Sequence, residues 1–363
     1  MEQKRVINFG AGPAKLPIEV LEDIQKEMLS YGQTGMSITE ISHRSDQYAQ
    51  INANAQKTLR NLLTIPANYK ILFVAGGGQG AFSAIPMNLI GRTGSADYLV
   101  TGTWSKVAAE EAKKYGKINI AAKEGQISDP RVWNLDPNAA YVFYCDNDTI
   151  DGVEFPDIPN TGTIPLVADM SSNILTKEID VSKFGIIFAA SQKNLGTAGV
   201  ALLIIREDLL GYAASYCPGI LNFKTLNEYN SILNTPPIFS IYVMDKIFQW
   251  NKRNGGLPTM ESSCKIKSQL LYDTIDQSNN FYHSPAEKNV RSRINITFRI
   301  NDGDEKIEKE FLSEAANKNM LQLKGHSLVG GIRASLFNSV TVEEVKKLVV
   351  FMNEFRRKHE NKR

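Results

Sequence analysis

The feature that most constrains this chain is an alternation of short apolar runs with helix-like segments through its N-terminal and central parts. The apolar runs cover residues 70–74, 98–100, 141–145, 164–168, 186–190 and 200–205. Runs without polar alternation are typical of strands covered on both faces, as in a parallel sheet flanked by helices. Residues 18–29 predict one helix, because Val20, Ile24 and Met28 share one face. The pattern predicts an α/β fold with a mostly parallel sheet.

The C-terminal part of the chain, after about residue 260, has a different pattern. Residues 293–300 alternate polar and apolar side chains, which predicts an antiparallel strand with one solvent-exposed face. Thr341 and Glu344 predict a capping box at the start of a final helix. The buried face of that helix is predicted from Val345, Leu348, Val349, Met352 and Phe355. We expect a large α/β domain over 15–260 and a small α+β domain over 261–363, which also takes the N-terminal segment 1–14.

Composition and charge argue against several classes of protein. The 363 residues carry 41 basic and 39 acidic side chains, and a net charge of +2 gives no electrostatic basis for nucleic-acid binding. No apolar run reaches the roughly 18 residues needed to span a bilayer, and no apolar segment follows the first residues as in a secretory signal. We therefore expect neither a nucleic-acid nor a membrane partner.

The cysteines and histidines predict neither disulfides nor a metal site. Cys145, Cys217 and Cys264 form no CxxC pair and are too few for a disulfide framework. Reduced, packed thiols are typical of a cytoplasmic protein, which is the location we expect. The four histidines have no metal-ligand spacing with the cysteines, so we expect no metal.

A glycine-rich stretch at residues 76–80 is the first sign of a binding site. It follows a predicted strand and precedes a helix that we expect to begin near Ala81, so its backbone N–H groups are placed to hold a phosphate. Glycine turns often serve only to reverse the chain, so this signal is weak alone. Ala81 also stands where the last glycine of GxGxxG would be, which disfavours a nicotinamide cofactor.

Asp169 follows directly after one predicted strand, and Lys193 lies in a Ser-Gln-Lys turn just after another. Ligands of α/β sheets bind at this edge of the sheet, and a partly desolvated lysine has a lowered pKa and becomes a nucleophile. Pyridoxal phosphate needs both a lysine and an acidic partner for its ring nitrogen. Taken alone, each residue is better explained as a surface residue. Together with the glycine stretch and Trp104, which can stack on a planar ring, they favour this cofactor.

Several specific motifs occur in order over nearly the whole chain. They are Asn8-Phe9-Gly10, Gly12-Pro13-Ala14, Ser42-His43-Arg44, Gly76-Gly77-Gly78, Asp169-Met170-Ser171-Ser172-Asn173, Ser191-Gln192-Lys193-Asn194, Asn234-Thr235-Pro236-Pro237, and Lys324-Gly325-His326 with Gly330-Gly331-Ile332-Arg333-Ala334-Ser335. With these motifs the chain resembles the phosphoserine aminotransferases, class V aminotransferases of pyridoxal-phosphate fold type I. The resemblance implies a seven-stranded sheet, pyridoxal 5'-phosphate, and amino transfer between glutamate and 3-phosphohydroxypyruvate in serine biosynthesis.

The resemblance also implies how one chain holds the cofactor. Lys193 would bind it covalently and move the catalytic proton, Asp169 would keep its ring nitrogen protonated, and Trp104 would stack on the ring. Thr149 would bind the phenolic oxygen of the ring. The cofactor phosphate would be held by Gly78, Gln79, Ser172 and Gln192.

A homodimer with shared active sites is a further implication. Asn234 and Thr235 would complete the phosphate site of the partner subunit. His43 and Arg44, also donated across the dimer, would bind the distal anion of the substrate together with His326. Arg333 would bind the α-carboxylate through a bidentate fork. Without the other motifs, His43 is better explained as a turn cap and Arg333 as an interface ion pair.

Three positions depart from the usual pattern of the family. Ser327 stands where arginine is usual, Gln79 where arginine is frequent, and Asp151 where histidine is common. Two of these changes remove potential positive charge near a doubly anionic substrate and one adds negative charge, so we expect weaker substrate binding. Two alternatives stay open: a class V aminotransferase of altered substrate preference, and a catalytically weakened homologue with a binding role.

Overall fold

The computed structural model describes residues 5–360, which form nine α-helices and fourteen strands. The helices are α1 (Ile18–Glu27), α2 (Asp46–Leu62), α3 (Gly77–Leu89), α4 (Thr103–Ala112), α5 (Phe223–Glu228), α6 (Ile238–Arg253), α7 (Gly256–Asp276), α8 (Glu305–Asn317) and α9 (Val342–Glu360). The strands are β1 (Ile7–Asn8), β2 (Tyr69–Ala75), β3 (Ser95–Leu99), β4 (Lys117–Ile120), β5 (Val142–Cys145), β6 (Asn147–Asp148), β7 (Val153–Glu154), β8 (Leu166–Asp169), β9 (Ile186–Ala190), β10 (Val200–Arg206), β11 (Tyr282–His283), β12 (Asn295–Ile300), β13 (Met320–Leu321) and β14 (Ile332–Ser335). Within this described part of the chain, no helix combines the length and hydrophobicity needed to cross a membrane.

The centre of the molecule is a seven-stranded sheet in the order β2-β10-β9-β8-β5-β3-β4. Strand β10 runs antiparallel to both neighbours, and the other adjacent strands pair in parallel. Its two faces are both buried: Leu72 and Val74 pack into one apolar cluster, Ile71 and Phe73 into the other. Burial on both faces explains why the strands are continuous apolar runs, and the prediction of a mostly parallel α/β sheet is confirmed.

Helix α3 begins earlier than the sequence predicts. It starts at Gly77 rather than near Ala81, so most of the glycine stretch forms its first turn. The prediction was wrong because glycine has low helix propensity and suggests a turn. Only the entry to the helix needs left-handed backbone, at Gly76 and Gly77 with φ of 99° and 59°. A Cβ on Gly80 would lie 3.0 Å from the carbonyl oxygen of Ala75, so glycine also lets the helix approach the strand closely.

The C-terminal part contains an antiparallel sheet in the order β11-β12-β14. The prediction that β12 has one solvent-exposed face was wrong, because its polar residues Asn295 and Thr297 are buried. The Asn295 side chain donates to Ser335 Oγ at 3.0 Å and accepts from Asn147 Nδ2 at 2.8 Å. This polar face therefore meets residues of the β6–β7 hairpin instead of water.

The N-terminal segment joins the C-terminal part of the molecule. Strand β1 pairs in parallel with β13, and Phe9 lies in the apolar core formed by C-terminal residues. Helix α7 crosses the predicted boundary between 260 and 261. The two domain ranges stay a prediction, and their end residues 1–4 and 361–363 lie outside the described residues.

Helix α9 has the predicted capping box. Thr341 Oγ1 accepts from the Glu344 N–H at 3.2 Å, and the Glu344 carboxylate accepts from the Thr341 N–H at 2.9 Å. In the predicted apolar face, Val349 is only partly buried, and the neighbouring Phe351 is buried instead.

Candidate active site

A cavity of about 590 Å³ opens at the carboxyl ends of the parallel strands. This is the edge at which α/β sheets bind ligands, and the volume is typical of small-molecule sites. Eight of the predicted site residues line it: Gly78, Gln79, Trp104, Thr149, Asp169, Ser172, Gln192 and Lys193. Residues far apart in the sequence are thus brought together around one space.

Lys193 lies in the turn after β9 and reaches into the cavity wall. Its Nζ donates to Thr149 Oγ1 at 2.6 Å. Burial lowers the pKa of the Lys193 ammonium, and the carboxylates of Asp169 and Asp148 partly oppose this effect. A lysine with a lowered pKa has a larger neutral, nucleophilic fraction, which is what covalent binding of an aldehyde requires.

Asp169 is the last residue of β8 and is buried. Its Oδ1 accepts from the Ser171 N–H at 2.8 Å, and its Oδ2 lies 3.8 Å from the Cys145 thiol, which donates to it. Burial raises the pKa of this carboxyl, while the Ser171 hydrogen bonds and the Lys193 charge oppose the rise. The group is therefore placed to pair with a cation in the cavity, such as a protonated ring nitrogen.

Trp104 supplies an aromatic wall near the N-terminus of α4. Its ring centroid is 6.4 Å from that of Phe82, and both side chains line the cavity. The Trp104 Nε1 is buried and has no hydrogen-bond partner among residues 5–360. A flat apolar face bordering the cavity is suited to stacking on a planar ring.

Another part of the cavity wall, at the N-terminus of α3, is suited to binding an anion. Gly77, Gly78 and Gln79 form the first turn of α3 and line the cavity. The N–H groups of a first helical turn have no acceptor within the helix and lie at the positive end of its dipole, which favours an anion. Ser172 Oγ, fixed by donating to the Asn147 carbonyl at 2.8 Å, lies on the same wall. An anion site, an aromatic wall, a buried acid and a lysine around one cavity fit pyridoxal phosphate.

Six predicted site residues lie outside the cavity lining, and four of them lie on two separate segments of the chain: His43, Arg44, Asn234 and Thr235. The two segments that carry them meet each other, since Thr235 Oγ1 lies 3.3 Å from His43 Nδ1. Arg44 and Asn234 are exposed. One chain therefore gathers these residues into a surface group and does not bring them to its own cavity.

The two remaining predicted substrate residues, Arg333 and His326, lie in different surroundings. Arg333 on β14 donates from Nη1 to the Thr149 carbonyl at 3.1 Å, which connects it to the residue that holds Lys193. Burial lowers the pKa of Arg333, and Asp148 opposes this. His326 lies in an exposed loop and accepts from the Leu328 N–H at 3.3 Å through Nδ1. Neither side chain is part of the cavity lining.

Comparison with known proteins decides the family. Residues 6–348 match the family model for aminotransferase class-V. The chain belongs to the class-V aminotransferases. It is 52% identical over 363 residues to phosphoserine aminotransferase of Drosophila melanogaster, covering 98% of this chain and 100% of that protein.

Solved structures of this class agree with that relationship. Phosphoserine aminotransferase from Bacillus circulans subsp. alkalophilus is 41% identical with a TM-score of 0.95, covering 98% of this chain and 99% of that chain. The pyridoxal-phosphate-bound phosphoserine aminotransferase from Trichomonas vaginalis is 40% identical with a TM-score of 0.93, covering 96% and 100%. The match extends over the whole class-V fold.

The structure places the three departing residues of this class-V chain in different surroundings. Gln79 lines the cavity, whereas Ser327 is exposed in the loop of His326. The Asp151 carboxylate accepts from the backbone N–H of Thr103 and does not line the cavity. The charge that Asp151 adds is thus directed at a helix terminus.

Some lining residues were not assigned roles from the sequence, among them Pro13, Phe82 and Asn147. Asn147 lies two residues after the end of β5 and Asp169 ends the neighbouring strand β8, so the same strand-end argument also points to Asn147. Pro13 belongs to a motif that carried the family resemblance. Phe82 looks like any core aromatic residue in the sequence, and no pattern separates it from the core.

Proposed function

We propose that this chain catalyses reversible amino transfer between L-glutamate and 3-phosphohydroxypyruvate, giving O-phospho-L-serine and 2-oxoglutarate. Pyridoxal 5'-phosphate is the cofactor. The observation that carries the proposal is a single cavity lined by Lys193, Asp169 and the N-terminus of α3, which is suited to an anion. The named activity of relatives that match over nearly the full length supports the same substrates. Serine biosynthesis is the corresponding role.

The cofactor would be held by residues of the cavity wall. Its phosphate would lie at the start of α3, bound by Gly78, Gln79, Ser172 and Gln192, and its phenolic oxygen would be bound by Thr149. When bound, the cofactor supplies an electron sink that stabilises negative charge at the substrate α-carbon. Trp104 would cover the ring and exclude water from that face.

The chain's own groups would move the protons. Lys193 Nζ, oriented by Thr149 Oγ1 at 2.6 Å, would take the proton from the α-carbon of the amino acid. In the second half-reaction it would return a proton to the α-carbon of the keto acid. Asp169 would hold a proton on the ring nitrogen, because a buried carboxylate stabilises a cation next to it. Arg333 would bind the α-carboxylate and so place the α-carbon near Lys193.

We propose further that two copies of the chain share their sites. The surface group formed by His43, Arg44, Asn234 and Thr235 would serve the cavity of the partner, completing the phosphate site and, with His326, binding the distal substrate anion. The location of this polar group outside its own cavity supports this arrangement. We also propose a cytoplasmic location, supported by three cysteines that form no disulfide.

A half-reaction assay tests the activity. Enzyme loaded with pyridoxal phosphate is mixed with glutamate or with phosphoserine, and the cofactor absorbance is followed without a second substrate. Both amino acids should convert the cofactor to its amino form, and Lys193→Ala should convert with neither. Conversion by glutamate alone would favour a different substrate preference. Conversion by neither would favour a weakened homologue with a binding role.

Mixing two inactive variants tests the shared site. Lys193→Ala subunits and Asn234→Ala/Thr235→Ala subunits should each be inactive, but a mixed dimer assembles one intact site. Random exchange in an equal mixture should recover about a quarter of the wild-type activity. No recovery, after mass spectrometry has shown mixed dimers, would rule out sharing of the phosphate site.

A further inference from the structure

The start of helix α4 is anchored by side chains that come from outside the helix. Its N-cap is Gly102, which has no side chain to accept a hydrogen bond. A Cβ on Gly102 would lie 2.6 Å from Asp148 Oδ2 and 2.9 Å from Asp151 Oδ2. Glycine at this position therefore leaves space for two carboxylates of the β6–β7 hairpin.

The two carboxylates bind consecutive backbone amides of the first helical turn. Asp151 Oδ2 accepts from the Thr103 N–H at 2.8 Å and from the Thr103 hydroxyl at 2.9 Å. Asp148 Oδ2 accepts from the Trp104 N–H at 2.8 Å, while Asp148 Oδ1 accepts from the Ile150 N–H at 2.9 Å. Anions are favoured here because the helix N-terminus carries a partial positive charge.

The position of Trp104 depends on this anchoring. Its indole N–H finds no hydrogen-bond partner in the described part of the chain, so no polar contact of the side chain fixes the ring. Its backbone N–H, by contrast, is bound directly by Asp148. Whatever moves the first turn of α4 therefore moves the aromatic wall of the cavity.

We propose that Asp148 and Asp151 form a charged clamp that sets the position of Trp104 at the cavity, and that Asp151 is a positioning residue of the active site. The inference rests on the proposed function, in which Trp104 stacks on the cofactor ring. In this proposal the charge of Asp151 acts in two ways: it binds the helix through Thr103, and it repels the neighbouring carboxylate of Asp148.

The electrostatic surroundings give the clamp a measurable signature. Asp148 is buried, and burial together with the Asp151 charge raises the pKa of Asp148 to about 6. Lys193 after β9, Arg333 on β14 and Cys145 on β5 also interact with Asp148. At the start of α4, Thr103, Trp104 and Ser105 are uncharged, and Lys106, which follows them, is exposed. The clamp is fully charged above this pKa, and it loses one charge as the pH falls through it.

Trp104 itself can report on the clamp. The full-length chain has three tryptophans, so Trp133→Phe and Trp250→Phe leave Trp104 as the only one. Acrylamide quenching of its fluorescence is then measured from about pH 5 to about pH 8, a range that brackets the Asp148 titration. No cofactor is added, so this readout does not depend on the proposed activity. The dissociation constant for pyridoxal phosphate is measured separately.

Asp151→Asn keeps an acceptor oxygen for Thr103 but removes the charge. In the parent chain the quenching should change with a midpoint near the Asp148 pKa, and Asp151→Asn should lower that midpoint by about one pH unit. Asp148→Asn should remove the midpoint. Asp157→Asn, at an exposed carboxylate further along the same segment, should leave it unchanged.

Two outcomes separate the clamp from the proposed function. The same quenching profile in the parent and in Asp151→Asn would overturn the clamp, since a purely structural cap would tolerate the asparagine. A lowered midpoint with unchanged cofactor affinity would keep the clamp but contradict the stacking role of Trp104. A lowered midpoint together with weaker cofactor binding supports both.

Discussion

Lys193 and Lys267 differ in what surrounds them: Lys193 lines the cavity, whereas Lys267 lies on α7 and its Nζ donates to carbonyl oxygens that follow β14, so of these two only Lys193 is placed to react. Burial lowers the pKa of both, to about 8 for Lys267. Lys193 borders an open cavity, with Thr149 Oγ1 accepting from its Nζ at 2.6 Å. A lowered pKa is therefore shared by two very different sites and does not by itself mark a catalytic lysine.

The surroundings of Lys267 commit all three of its N–H groups. It is 1% exposed and donates to the carbonyl oxygens of Leu336, Phe337 and Val340, each at 2.9 Å. These acceptors stabilise the charged form and leave no lone pair free for attack. Burial alone therefore does not make a lysine a nucleophile. The amine must also border a cavity that a substrate or cofactor can enter, as Lys193 does and Lys267 does not.

The largest effect is expected from removing the cavity lysine. Lys193→Ala should lower transaminase turnover by at least about 1,000-fold, because the group that binds the cofactor and moves the proton is lost. The melting temperature should change little, since the side chain borders empty space. Turnover, circular dichroism and borohydride trapping of the cofactor measure this. A reducible covalent adduct that survives in Lys193→Ala would assign the cofactor to another residue.

For Lys267 we expect an effect on stability and not on turnover. Lys267→Met should reduce the free energy of unfolding by about 3–5 kcal/mol, because three buried carbonyls lose their donor. Turnover per folded molecule should stay close to that of the wild type. Urea unfolding together with active-site titration separates the two quantities. A Lys267→Met chain of wild-type stability would contradict the assigned structural role.

The contribution of Lys267 to stability should also depend on pH. The folded pKa of Lys267 is about 8 and its ordinary value is 10.5, so between these values the unfolded chain binds more protons. The wild type should therefore gain stability as the pH rises from 8 to 10.5, and Lys267→Met should lack that part of the gain. Parallel urea titrations of the two chains across this window measure it.

The smallest effect is expected from removing the Thr149 hydroxyl, which accepts from the cavity lysine. Thr149→Val keeps the shape of the side chain but cannot accept from Lys193 Nζ, and turnover should fall about tenfold as the amine loses its orientation. Thr149→Ser, which retains the hydroxyl, should recover most of the activity. Steady-state kinetics of both variants tests this, and equal losses in the two would point to packing rather than to the hydrogen bond.

The sequence distinguishes these two lysines only in part. Lys193 is predictable because it follows a buried strand, and strand ends of α/β sheets are where ligands bind. Lys267 lies within a helix, where lysine usually points to solvent, and its burial depends on a turn at residues 336–340 that is distant in sequence. Long-range packing of this kind leaves no local pattern.

The same limit explains the errors in the fold and the gaps in the site. The alternation in β12 correctly predicts a strand, but Asn295 is buried because its side-chain amide pairs with that of Asn147, and a sequence pattern cannot show such pairing. Asp148 and Asp151 were likewise unassigned as helix anchors, since the helix that they bind precedes them by many residues. Buried apolar strands were predictable because burial on both faces dictates composition directly.

The pairing of β1 with β13 has a consequence for how the molecule is made. On the ribosome, at about 5–20 residues per second, the first strand emerges many seconds before its partner exists. Gly12 and Pro13, four and five residues after the end of β1, line the cavity. The segment that carries β1 therefore stays without its strand partner while the residues of the central sheet are synthesised. The part of the cavity wall formed by Gly12 and Pro13 is then one of the last parts of the site to be fixed. A nascent chain halted before β13 should hold a formed sheet but not a complete site.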